Sequence, residues 1–74
     1  MTKEQMAERL GRNLFLLRRQ AGLSQGELGK QAGVSQPKVS QFEKGQALPP
    51  LEVFVGFCRA LEARPDQLLK GVLS

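Results

Sequence analysis

No histidine, tryptophan or tyrosine occurs among the 74 residues, and there is one cysteine. Without histidine, most zinc sites and every His-dependent catalytic triad are excluded. A lone Cys58 cannot close an intrachain disulfide, which points to a reducing, cytoplasmic setting. It is read as a small buried thiol without redox chemistry. No apolar run approaches the ~20 residues that span a bilayer, and no secretory n-region and h-region appear. Ser35 and Lys38 share the S-x-x-K spacing of acyl enzymes, but Ser35 is better explained as a helix cap. No enzyme, cofactor or metal is expected.

What remains is a small basic chain. The net charge is +4, and it is uneven: +3 over residues 1–23, +1 over 24–50 and zero over 51–74. Basicity fits a polyanionic partner without proving one.

Glycine and proline punctuate the chain into five helical stretches, so the expected fold class is all-α, one domain over residues 1–74. The first helix is expected over 3–20, with Thr2 and Gln5 as a capping box and Gly22 past its end. Met6, Leu10, Leu14 and Leu17 share its apolar face. The second is expected over 25–31, opened by the box of Ser24 and Glu27 and stopped by Gly33. The third covers 36–44, with Ser35 as cap, Pro37 in the first turn and Gly45 as stop. The fourth covers 50–62. Its main apolar face is expected at Leu51, Phe54, Cys58 and Leu61, with a second stripe at Val53, Gly56, Phe57 and Ala60. The fifth is a turn or two over 65–70, closed by Gly71.

Residues 24–45 carry the strongest signal. Gly29 and Gly33 permit two short helices to cross closely over a tight turn, with Leu28, Val34, Val39 and Phe42 inward. Projected at 3.6 residues per turn, the third helix gathers Val39, Phe42 and Glu43 on one side. Pro37, Gln41 and Lys44 centre the other, flanked by Gln36, Lys38 and Ser40. That face is rich in amides, and glutamine pairs in bidentate fashion with adenine N6 and N7 in the major groove.

The run LSQGELGKQAGVSQPKVSQFEKG resembles the helix-turn-helix of the phage repressor and Cro family, also called the XRE type. The likeness extends through P-x-L-E-x-F at Pro49 to Phe54, Ala60-Leu61 and P-D-Q-L-L at Pro65 to Leu69. The resemblance implies a compact five-helix, lambda-repressor-like domain. It also implies a bacterial or phage-encoded regulator, found on the nucleoid when bound. By position, Gln36, Pro37, Lys38 and Gln41 would face bases. Ser24, Gln25, Ser40 and Lys44 would lie at phosphates, with Gln25 bracing Gln36. Arg18 and Glu43 match a structural ion pair between the first and third helices. Two departures stand out: Pro37 in place of a polar reader, and a loop of Gln46, Ala47 and Leu48 where basic residues are common.

The function implied is that of a sequence-specific double-stranded DNA-binding regulator, in the simplest case a repressor. It would act as a homodimer on a two-fold symmetric operator. The dimer surface is expected among Leu48, Pro49, Val53, Phe57, Pro65 and Leu68. An antitoxin or a restriction-modification controller acting on its own promoter is an alternative. So is a protein-interaction module without DNA binding. Phe15 and Leu16, in a row of four apolar residues from Leu14 to Leu17, cannot all face one core. One of them packs on the fifth helix or the C-terminal tail, or the two form a surface for a protein partner.

Overall fold

In the computed structural model, which describes residues 1–72, helix ends fall where capping chemistry places them. The domain end expected at Ser74 lies outside the described residues. Helix α1 spans Lys3–Gln20, α2 Gln25–Ala32, α3 Gln36–Glu43, α4 Leu51–Leu61 and α5 Pro65–Leu68. Thr2 and Gln5 form the capping box of α1, and Ser24 and Glu27 that of α2. The Ser35 hydroxyl accepts from the Lys38 N–H at the start of α3. Gly33 and Gly45, with φ of 79° and 73°, turn the chain in the left-handed region that their missing Cβ allows.

Every helix sends at least one side chain to a single core of Leu10, Leu14, Leu28, Val39, Phe42, Phe57 and Leu68. Phe42 of α3 meets Phe57 of α4 edge to face, with ring centres 5.9 Å apart. Helix α3 packs on α1 and α2, and α4 packs on α2. Glycines set these approaches. A Cβ on Gly29 would lie 2.5 Å from the Val34 carbonyl oxygen, and one on Gly11 would run into the Phe42 carbonyl oxygen. Gly56 sits against Ala32 of α2 in the same way.

Helix α4 is rotated relative to the sequence expectation. Phe57, assigned to its second stripe, is its buried residue, whereas Leu51 is 76% exposed. The small side of the helix, Gly56 and Ala60, lies toward its neighbours because it lets α2 come close. Phe54, Cys58 and Leu61 are left half-buried at the margin. Cys58 is therefore not fully buried; the burial it has pushes its thiol pKa up. Helix α5 is shorter than expected, and side chains of α1 hold its last residue and the chain beyond it. Asn13 donates its amide to the Leu68 and Lys70 carbonyls at 2.7 and 2.9 Å. Arg9 donates to the Gly71 carbonyl at 2.9 Å. No described helix is long and apolar enough to cross a membrane.

Candidate nucleic-acid interface

The buried side of α3 consists of Val39 and Phe42, which fixes what the opposite side presents. Gln36, Pro37, Lys38 and Gln41 are all exposed there, Ser40 is half-buried, and Lys44 is exposed at the helix end. Pro37 lies in the first turn, where α3 loses no hydrogen bond to it.

A chain of hydrogen bonds runs from the core to the first residue of this face. Arg18, 8% exposed, donates through Nε and Nη2 to the two carboxylate oxygens of Glu43, at 2.5 and 3.1 Å. Its Nη1 donates to the Leu23 carbonyl at 2.9 Å, tying the α1–α2 connection into the same cluster. Glu43 Oε1 also accepts from Gln25 Nε2 at 2.9 Å. An ionised carboxylate only accepts, so the Gln25 amide has one orientation: nitrogen toward Glu43, oxygen outward. That oxygen accepts from Gln36 Nε2 at 2.7 Å. The Gln36 amide is thereby held with its oxygen and its second N–H unspent. An acceptor and a donor side by side match adenine N6 and N7.

The arrangement places the expected ion pair and the expected brace between Gln25 and Gln36 in direct contact. Both side chains of the ion pair are almost wholly shielded from solvent. Gln41 and Lys38 make no side-chain hydrogen bond among the described residues, so nothing pre-sets their direction.

At the start of α2 the donors are partly taken. Glu27 Oε1 accepts from the Ser24 N–H at 2.8 Å, and the Ser24 hydroxyl accepts from the Glu27 N–H at 3.0 Å. The Ser24 N–H depresses the Glu27 carboxyl pKa below its ordinary value. The N–H groups of Gln25 and Gly26 are the ones left to meet an anion. Lys44 caps the other end of α3 and adds an exposed positive charge.

The surfaces expected for other contacts divide. Phe57 and Leu68, each 1% exposed, belong to the protein's own core and are not available to a second subunit. Their periodicity looks the same whether a helix buries its face inside or against a partner. Leu48, Pro49 and Val53 are half-buried and Pro65 is exposed. An apolar cleft beside them is lined by Leu48, Pro49, Leu51 and Phe54. Phe15 and Leu16 are 38% and 46% exposed, so neither is enclosed by α5 or by the described part of the tail.

Residues 9–70 match the model of a family described as a helix-turn-helix domain. Repressor protein C2 of Salmonella phage P22 is 37% identical over 65 residues, covering 88% of this chain and 30% of that protein. Antitoxin HigA1 of Mycobacterium tuberculosis is 47% identical over 58 residues, covering 78% of this chain and 39% of the antitoxin. The chain thus spans between three-tenths and two-fifths of the length of these relatives. Among solved structures, the restriction-modification controller C.AhdI of Aeromonas hydrophila superposes with a TM-score of 0.80 at 31% identity. That match covers 84% of this chain and 94% of the controller. The P22 c2 repressor in complex with a synthetic operator superposes with a TM-score of 0.78 at 35% identity, over the same shares of the two chains. The family model covers most of the chain and the repressor matches agree with it in sequence and fold, so the chain belongs to the helix-turn-helix domain family, in its phage-repressor type.

Proposed function

We propose that this chain is the operator-reading part of a transcriptional regulator, acting as a homodimer on a two-fold symmetric site. The observation that carries the reading is the exposed amide face of α3, with Gln36 held in place by Gln25, Glu43 and Arg18. Gln36 and Gln41 read base edges. Lys38 adds a flexible donor, and Pro37 offers apolar contact to a thymine methyl. Ser24, Gln25, Ser40 and Lys44 sit at the backbone and set the register without reading sequence. Occupancy of the site by the dimer, in the cytoplasm, blocks transcription.

The second subunit covers the shelf of Leu48, Pro49, Leu51 and Phe54, the apolar surface that the fold leaves open on the α4 side. Leu51→Glu is expected to leave the fold intact, yield a monomer by sedimentation and weaken binding to a full site far more than to a half-site.

The test of DNA binding is the salt dependence of affinity for a duplex. Lys44→Ala is expected to weaken binding to all sequences and to lower the slope of log K against log salt by about one unit. A loss confined to one base pair would place Lys44 at a base instead. The likeness to antitoxin HigA1 and C.AhdI favours a second reading, a regulator of its own promoter. Sites recovered upstream of its own coding sequence support it, and sites only elsewhere oppose it.

A further inference from the structure

We propose that the outer face of α1 is a docking cleft for an acidic amphipathic helix of another protein, and that its occupant competes with DNA for Lys44. Arg12, Phe15, Leu16 and Arg19 recur at helical spacing and form one exposed stripe. Each of the two apolar residues leaves more than a third of its surface to solvent, 38% for Phe15 and 46% for Leu16. Their environment is nevertheless organised. The Arg18 and Arg19 guanidinium carbons lie 5.4 and 5.7 Å from the centre of the Phe15 ring, which holds the ring at the surface. Beside it opens a cleft of about 580 Å³ between α1 and the end of α3, lined by Arg9, Arg12, Phe15, Leu16 and Lys44, with Glu8 and Glu43.

Charge selects the occupant. Among the described residues the ion pairs are Arg18–Glu43 and Arg64–Asp66. Glu43 is thus neutralised, and Arg12, Arg19 and Lys44 make no ion pair among the described residues; Glu8 is the one other carboxylate lining the cleft, against the cations of Arg9, Arg12 and Lys44. A partner must therefore bring carboxylates together with apolar anchors about one turn apart, which is how an acidic amphipathic helix presents itself to a groove. A second copy of this chain would bring the same cationic stripe and repel it. A phosphate backbone would satisfy the arginines and leave Phe15 and Leu16 without a counterpart. Lys44 belongs both to this cleft and to the proposed phosphate contacts. Each ligand therefore lowers affinity for the other by the same factor.

The test uses a fluorescein-labelled synthetic peptide of about 18 residues, since shorter helices are marginal in water. It carries leucines on one face and glutamates along the flanks. A control peptide has serine for each leucine at unchanged charge. Saturable binding by anisotropy is expected, weakening with salt. Phe15→Ser with Leu16→Ser, which keeps all charges, and the control peptide should each reduce affinity about tenfold or more. Arg12→Glu, a substitution at an exposed position, should do the same and serves if the double variant unfolds. Added peptide should raise the Kd for duplex DNA.

Equal binding by the double variant and the wild type would overturn the proposal, as would equal binding of the two peptides. So would a double variant that sediments as monomer where the wild type is a dimer, since a second copy then covers the stripe. Loss of duplex affinity in the double variant with unchanged peptide binding would assign the stripe to DNA and overturn it as well.

Discussion

Glu43 receives three donors, two from Arg18 and one from Gln25, and passes order from the core to Gln36. Removing it strands a buried guanidinium, which typically costs about 3–5 kcal/mol. Glu43→Ala is therefore expected to take most of the stability of so small a domain, read as the urea midpoint. Glu43→Gln retains an acceptor and should cost less. Gln36→Ala leaves the cluster intact and should instead lower specific DNA affinity by about 1–3 kcal/mol while relaxing one base position. Glu27 gives a pH signature. Its folded pKa is depressed, so its contribution is present above the ordinary value of 4.5 and is lost as pH falls through the folded value. The wild type should lose more Tm than Glu27→Gln between about pH 5 and pH 3; equal losses would contradict the role of that carboxylate.

At the level of helices, the glycines divide by what surrounds them. A Cβ on Gly26 would meet only the Ser24 hydroxyl oxygen, at an ordinary contact distance of 3.9 Å, so Gly26→Ala should stabilise α2 by up to about 1 kcal/mol. Gly11→Ala would press on the Phe42 and Glu43 carbonyls and should destabilise by about 1–3 kcal/mol, read by thermal unfolding. The sequence makes Gly29 legible, because it lies inside a recognisable two-helix pattern. Gly11 is not legible, because the α3 backbone that crowds it comes from a distant part of the chain. The same division holds elsewhere. Caps at Thr2, Ser24 and Ser35 are local chemistry and fall where the sequence places them. The rotation of α4 depends on which side of it α2 approaches, and two apolar stripes leave that undecided. Asn13 reaching the end of α5 spans 55 residues of chain, and no local pattern announces it.

For the whole molecule, the amide face is readable because α3 has one apolar side, so the opposite side must be exposed. A surface for the proposed second subunit is not readable in the same way, since an interior stripe and an interface stripe have equal periodicity; Phe57 and Leu68, expected at an interface, lie in the core. One chain measures 31 × 22 × 20 Å. In the proposed dimer, two copies side by side would meet half-sites about 34 Å apart, one turn of B-DNA. Selection of bound duplexes from a random pool, run in parallel with the wild type, Gln36→Ala and Gln41→Ala, asks whether the amide face of α3 reads DNA sequence. The wild type should yield a two-fold symmetric consensus with that spacing, and each variant should relax one base position in both halves. An absence of enrichment, or a consensus unchanged by both substitutions, would contradict that role of α3.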